Sequence, residues 1–173
     1  MDNTENKIAD FFYKEFSKLA DNLVCWGFAA GRGTGSMVTL YFGGKRLRNR
    51  PIHNLSLSED VRKYQGEYCL FLKDCEWRIQ TSDEVIASSV SSNEKGGAML
   101  SALERLVGEY VVSAEVNRPC FDLRIGFGNG INLIVFCLGG SDEELDNYTF
   151  FSGHGYYVSK FNGLFEKRER KRS

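Results

Sequence analysis

The stretch Phe121-Asp-Leu-Arg-Ile-Gly-Phe-Gly-Asn-Gly-Ile-Asn-Leu-Ile-Val-Phe-Cys-Leu138 decides the fold of this chain. Apolar residues alternate with polar or small ones up to Phe127, which is typical of a strand with one buried face. Asn129-Gly130 then favours a two-residue type I′ turn, because that turn needs a positive φ at both central residues. From Leu133 onward nearly every residue is apolar, which indicates a strand inside a sheet. We predict a β-hairpin over residues 121–138.

Helices and further strands are predicted on both sides of this hairpin. Apolar residues at helical spacing predict an amphipathic helix over residues 6–22 and a second over 94–107, capped by Ser92 or Asn93 and ended by Gly108. Residues 23–30 are apolar without a helical period, and apolar runs between turn residues predict strands at 36–42, 68–72, 77–81, 85–90, 109–116, 148–151 and 156–158. The fold class is therefore α+β, a largely antiparallel sheet of about seven to nine strands in meanders and hairpins. The N-terminal helix and one central helix are expected to pack on it.

Composition indicates one globular domain over residues 1–173, with residues 1–5 and 166–173 as disordered tails. The chain has 173 residues, of which 42% are hydrophobic and 26% charged, and a net charge of -1. Its polar start lacks the basic and apolar segments of a signal peptide, and no apolar run is long enough to span a membrane. We expect a cytoplasmic protein with five reduced cysteines.

Charge is segregated into clusters that could contact a partner. No acidic residue lies between Asp21 and Glu59, whereas Arg46, Arg48 and Arg50 alternate and would project from one side of an extended segment. An acidic loop carries the opposite charge and consists of Asp142, Glu143, Glu144 and Asp146. On the first strand of the hairpin, Asp122 and Arg124 share the solvent-facing side and are expected to pair. These residues are the candidate partner-binding sites.

The sequence contains no recognisable catalytic or cofactor motif. Residues 31–36, Gly-Arg-Gly-Thr-Gly-Ser, precede a strand, so they lack the helix N-terminus that a phosphate-binding loop requires. His53 and His154 lie outside any known motif, and no two cysteines have the spacing of a zinc site. We therefore expect no metal, no cofactor and no enzymatic activity.

The segment from Trp77 to Phe136 resembles a pattern found in small uncharacterised bacterial α+β proteins. The pattern consists of Trp77-Arg-Ile, a short Val/Ser strand, a helix ending Leu-Val-Gly108, a strand, and Asp122-Leu-x-Ile-x-Phe-x-Asn-Gly-x-x-Leu-x-Val-Phe136. Some of those proteins resemble immunity proteins encoded beside secreted toxins. The resemblance implies a cytosolic binding protein that blocks a toxin domain by covering its surface, and it implies no catalytic residue.

Two other functions are compatible with the sequence. A pocket between helix and sheet that contains His154 would bind a small ligand or act as an active site. Alternatively, Arg32, the basic run 45–50 and the basic C-terminal tail would bind nucleic acid, although a net charge of -1 argues against this function. We expect a protein partner, no membrane association and no nucleic acid.

Overall fold

The computed structural model describes residues 3–140, 145–161 and 165–168. Within them the chain forms three α-helices and eleven strands. The helices are α1 (Asn3–Ser17, continued by a 3-10 turn Lys18–Ala20), α2 (Glu59–Lys63) and α3 (Ala98–Glu104). The strands are β1 (Cys25–Ala29), β2 (Val38–Leu47), β3 (Tyr64–Leu72), β4 (Glu76–Gln80), β5 (Val85–Ser88), β6 (Val111–Asn117), β7 (Asp122–Phe127), β8 (Asn132–Phe136), β9 (Asp146–Ser152), β10 (Gly155–Lys160) and β11 (Phe165–Arg168).

The strands form two antiparallel sheets instead of the single sheet of seven to nine strands that the sequence predicted. The first has six strands in the order β1-β2-β3-β9-β10-β11, and the second has five in the order β5-β4-β8-β7-β6. The expectation of antiparallel sheets accompanied by helices is confirmed, but the strand count and the single central helix are wrong. The fold is predominantly β.

The division into two sheets occurs at the short turn between β3 and β4. The backbone N–H groups of Lys73 and Asp74 donate to the carbonyl oxygens of Asn147 and Asp146, each at 3.0 Å. The turn therefore continues the pairing of β3 with β9, and β4 pairs with β5 and β8 in the other sheet.

The core lies between the two sheets and is closed by α1, which contacts β6 of one sheet and β11 of the other. Phe12 on α1 is fully buried and lies within 6.2 Å, between ring centroids, of six other aromatic rings. From the five-stranded sheet, Trp77 is 1% exposed, and its indole N–H donates to the carbonyl of Ser36 at 2.9 Å. The helical period at the N-terminus was thus predicted correctly, and α1 joins the edges of both sheets.

The central hairpin forms as predicted, but its turn type differs. Strands β7 and β8 are paired, with Leu123 opposite Val135 at one end and Gly126 opposite Asn132 at the other. Gly130 donates its N–H to the carbonyl of Phe127 at 3.0 Å and has a φ of 80°, whereas Asn129 has no positive φ. The loop therefore has three residues, with a glycine in the left-handed conformation at its end, and the type I′ prediction is wrong. The Asn129 side chain accepts from the N–H of Ile131 and donates to the carbonyl of Arg105 instead.

Helix α3 is shorter than the predicted helix 94–107. It begins at Ala98 after Gly97, and no side chain caps it. Gly97 is the N-cap, so neither Ser92 nor Asn93 has that role. The Asn93 amide instead donates to the carbonyls of Gly31 and Gly35, each at 3.0 Å. These bonds fix residues 31–36, which form a loop between β1 and β2 as expected.

Parts of both predicted tails belong to regular elements. Helix α1 begins at Asn3. Residues 166–168 belong to β11, which pairs with β10 so that Arg168 lies opposite Tyr156 and Phe165 lies opposite Ser159. The buried ring of Phe165 anchors this last strand among Phe12, Phe121 and Tyr157. Of the helices in the described ranges, none has the length and apolar composition needed to cross a membrane.

A candidate binding surface on the six-stranded sheet

The six-stranded sheet has an outer face that is largely apolar. Its inner face is the core, since Leu40, Leu70 and Phe150 are opposite one another on β2, β3 and β9 and are fully buried. Side chains alternate along a strand, so residues one position away face outward. One outward row across the sheet consists of Tyr41, Cys69, Phe151, Tyr156 and Arg168. The neighbouring row consists of Thr39, Phe71, Thr149, Val158 and Glu166.

We call these two rows the outer face. Cys69, Phe71, Phe151 and Tyr156 on it are half-buried, and the rings of Phe151 and Tyr156 are 5.4 Å apart. Val158 is only 1% exposed although it points away from the core. Directly opposed residues on antiparallel strands are close enough to touch, so the apolar surface is continuous across β3, β9 and β10.

Charged pairs border this face. At the β11 edge, Arg168 contacts Glu166 at 2.7 Å, and beside β3 Arg46 lies 3.9 Å from Glu67. Helix α2 covers the face near β1, where Val61 lies against Gly27. An apolar centre with a charged rim is the usual arrangement of a protein–protein interface.

The outer side of the five-stranded sheet is polar by comparison. Its central cross-strand row is Ser88, Arg78, Ile134, Arg124 and Glu115. The next row is Gln80, Asn132, Gly126 and Ser113. An antiparallel sheet with one face in water normally has this composition. The outer face of the six-stranded sheet therefore departs from the pattern that the same molecule follows elsewhere.

A pocket of about 210 Å³ opens on the outer face. Its lining includes Tyr41 and Thr39 on β2, Cys69 on β3, Phe151 on β9, and Arg48, which follows β2. This volume is below the range of typical small-molecule sites, about 300–1,000 Å³, so the pocket has room for a protein side chain.

Arg48 forms one wall of this pocket and is held rigidly. Its Nε donates to the carbonyls of Val61 at 3.2 Å and Tyr64 at 2.8 Å, and its guanidinium lies 5.5 Å from the centre of the Tyr41 ring. Burial raises the pKa of the Tyr41 phenol, and the charge of Arg48 partly opposes that rise.

The predicted basic stripe does not form as a single set. Arg46 is beside Glu67, Arg48 is turned into the fold, and Arg50 is exposed in the loop after β2. The regular alternation that would align the three side chains ends with β2 at Leu47, which explains the difference. Lys45 is paired with Asp60 at 2.6 Å and lies over the Trp26 ring.

The predicted pair on the hairpin is absent too. Asp122 accepts a hydrogen bond from the backbone N–H of Cys137 at 2.7 Å, while Arg124 donates to the side chain of Asn132 at 3.3 Å. The carboxylate of Asp122 closes the end of the β7–β8 ladder, because a backbone N–H there needs an acceptor.

Of the predicted acidic cluster, only Asp146 is among the described residues, and Asp142, Glu143 and Glu144 lie outside them. Asp146 begins β9 and contacts Lys160 at 2.7 Å and Lys73 at 4.0 Å. Its charge is therefore compensated within the fold.

No catalytic arrangement is found in the described ranges. His154 is exposed at the β9–β10 turn, and His53 is exposed in the loop before α2. Burial raises the pKa of the thiols of Cys25, Cys75 and Cys137 to about 12, so they are poor nucleophiles at neutral pH. A wider cleft of about 420 Å³ between β1 and α3 is lined by Trp26, Phe28 and Leu100, with Glu104 as its charged residue. Within the described ranges, no cluster of histidine, cysteine and carboxylate groups could hold a metal.

The sequence contained a signal for the outer face that the charge clusters obscured. Residues 68–72, Tyr-Cys-Leu-Phe-Leu, and 148–151, Tyr-Thr-Phe-Phe, are apolar or aromatic at almost every position. Such runs are expected in strands that are covered on both faces. On β3 and β9, Cys69, Phe71 and Phe151 point outward and are only half-buried, whereas Thr149 is buried.

Comparison with known proteins adds no relative. No protein-family model matches this chain, and no curated protein or solved structure is significantly similar to it.

Proposed function

We propose that this chain is a cytosolic immunity-type protein, and that its outer face binds a partner toxin domain and blocks that domain's working surface. The composition of the outer face carries this proposal. Cys69, Phe71, Phe151 and Tyr156 keep part of their surface open to solvent, side by side on three paired strands. Contiguous apolar surface of this kind on a soluble protein marks a contact surface for a partner.

The location of the resemblance supports the same function. The segment from Trp77 to Phe136 comprises β4, β5, α3, β6, β7 and β8, which are the whole five-stranded sheet and its helix. The apolar side chains of the outer face come from β2, β3, β9 and β10, outside that segment. A shared scaffold would thus hold the core while a separate sheet supplies contacts specific to one partner.

Residues of the outer face suit the energetics of a tight interface. Aromatic side chains at the centre of an interface contribute most of its binding energy when polar groups around them exclude water. Phe151 and Tyr156 are central in their row, and the pairs Glu166–Arg168 and Arg46–Glu67 provide the surrounding polar groups.

Neither alternative function is supported by a comparable observation. His154 is exposed on a turn and does not line the two pockets described above. Lys45 and Arg46 each lie beside a carboxylate, so two charges of the basic run are compensated within the fold and are less available to a phosphate backbone.

Co-expression with the product of the adjacent gene tests the proposal. The C-terminal domain encoded by the gene next to that of this chain is expressed in a bacterial host with and without the chain. We expect growth arrest by that domain alone and restored growth when both are present, with a stable complex on size-exclusion chromatography. A domain that is harmless, or toxicity that the chain does not relieve, would overturn the proposed function.

A further inference from the structure

The guanidinium of Arg48 is a positive charge without an anionic partner. Its Nε is bound to two backbone carbonyls, and its Nη2 is buried without a hydrogen-bond partner in the described part of the chain. Among the ion pairs of the described residues, none includes Arg48. Neutral carbonyls satisfy some of its N–H groups but do not neutralise its charge.

An unpaired and partly buried cation is unfavourable. Removing a charge from water is costly unless an opposite charge or several hydrogen bonds replace the lost hydration. The nearby carboxylate of Glu67 is otherwise engaged, since it accepts from the N–H of Gly44 at 3.2 Å and lies beside Arg46. Arg48 therefore lacks the anion that such a position normally has.

The pocket beside Arg48 provides the place for that anion. Arg48, Tyr41 and Thr39 supply N–H and O–H groups to its wall, and Cys69 and Phe151 supply apolar surface. Glu67 also lines the pocket, and its carboxylate is bound to the N–H of Gly44. Arg is favoured where a planar carboxylate is bound, because its guanidinium presents N–H groups in a fixed geometry. The volume of about 210 Å³ suits one side chain rather than a free metabolite.

We propose that this pocket receives one Asp or Glu side chain of the protein partner, whose carboxylate pairs with Arg48 while neighbouring apolar residues of the partner cover Phe71, Phe151 and Tyr156. This inference rests on the proposed function, because it assigns the chemistry of the same face. The partner is thus expected to present an acidic side chain within an apolar patch.

The charge requirement is tested with a small probe that carries one carboxylate. The probe is N-acetylglutamate N′-methylamide, and its neutral analogue is N-acetylglutamine N′-methylamide. Titration is followed by NMR at the Nε–Hε signals of the 15N-labelled arginines. We expect a saturable shift of the Arg48 signal with the glutamate probe, no shift with the glutamine analogue, and no shift of the exposed Arg50 in either case.

A matched pair of substitutions supplies the control. Gln65 lines the pocket, so Gln65→Glu places a carboxylate beside Arg48 and should lower the affinity for the glutamate probe at least tenfold. Gln80→Glu makes the same chemical change on β4 of the other sheet and should leave probe binding unchanged. These variants leave Arg48 and its bonds to Val61 and Tyr64 intact and should fold, whereas Arg48→Gln would remove both bonds.

Several results would overturn the inference. The first is that the unmodified chain shows no saturable shift with the glutamate probe, or the same shift with the glutamine analogue as with the glutamate probe. The others are that the Gln65→Glu variant binds the glutamate probe as tightly as the unmodified chain does, or that inorganic phosphate binds the unmodified chain as tightly as the glutamate probe does. The co-expression assay separates this inference from the proposed function. If the unmodified chain restores growth and Gln65→Glu restores it equally well, the inference fails and the proposed function stands. If the unmodified chain does not restore growth, the proposed function fails.

Discussion

Replacing Phe12 with alanine should destabilise the protein severely, because this one ring joins α1 to the core. Phe12 is fully buried and contacts Phe16 on its own helix and Phe150 and Phe165 on the six-stranded sheet. Truncating such a phenylalanine loses its transfer free energy and leaves a cavity, at a cost of about 3–5 kcal/mol. With a urea m-value of about 2 kcal/mol/M, the unfolding midpoint should fall by roughly 2 M.

The preceding residue provides the control. Phe11 is 57% exposed, and its ring contacts the ammonium of Lys167 at 5.5 Å, an interaction that contributes about 0.5–1 kcal/mol at an exposed site. Phe11→Ala should therefore lower the urea midpoint by no more than about 0.5 M. Equal midpoints for the two variants would refute the view that α1 completes the core through Phe12.

Three further predictions concern the hairpin and the thiols. Asp122→Ala leaves the Cys137 N–H without its 2.7 Å acceptor and should lower the free energy of unfolding in urea by about 1–3 kcal/mol. Arg124→Ala loses only an exposed hydrogen bond and should lower it by less than about 0.5 kcal/mol. Equal losses would contradict the role of Asp122. Gly130→Ala forces a φ of 80° on a residue with a side chain and should lower stability by about 1–2 kcal/mol in the same assay, and no loss would mean that the loop can change its turn type. Exposed Cys120 should react with a thiol reagent at pH 8 before the buried Cys25 and Cys75, and equally rapid labelling of those two would contradict their burial.

The central hairpin shows what alternation can and cannot predict. Because side chains alternate with a period of two, the pattern from Leu123 to Phe127 fixed which residues are buried, and all three apolar positions proved to be in the core. The same pattern does not determine the loop, since Asn-Gly occurs in two-residue turns and also at the end of three-residue loops. Here a tertiary contact favours the three-residue loop, because the side-chain amide of Asn129 donates to the carbonyl of Arg105.

The two-sheet arrangement depends on contacts between distant residues. Residues 73–75 have the composition of a hairpin turn, but Lys73 and Asp74 are bound to the backbone of Asn147 and Asp146. No local pattern in the sequence identifies that partner. The outer face was missed for a related reason, since an apolar run predicts a strand covered on both faces and does not say whether the second cover belongs to the same chain.

Charge clusters in the sequence were a poor guide to how the charged side chains are arranged. Alternation suggested that Arg46, Arg48 and Arg50 act together, but the strand ends at Leu47 and Arg48 turns toward Tyr41. The partial burial of Arg48 and the lack of a hydrogen-bond partner for its Nη2 among the described residues cannot be read from a sequence.

The most direct test of the account is the affinity of a Phe151→Lys variant for the proposed partner domain that the co-expression assay is designed to identify. Phe151 is half-buried at the centre of the outer face, so a charge there should weaken binding by at least 2 kcal/mol, or about 30-fold in Kd, as expected for a central aromatic anchor. The control is Ile134→Lys, which places the same charge at a half-buried position on the outer side of the five-stranded sheet. Isothermal titration calorimetry should show a large loss for Phe151→Lys and none for Ile134→Lys, with both variants folded by circular dichroism. An unchanged Kd for Phe151→Lys would contradict the assignment of the outer face as the binding surface.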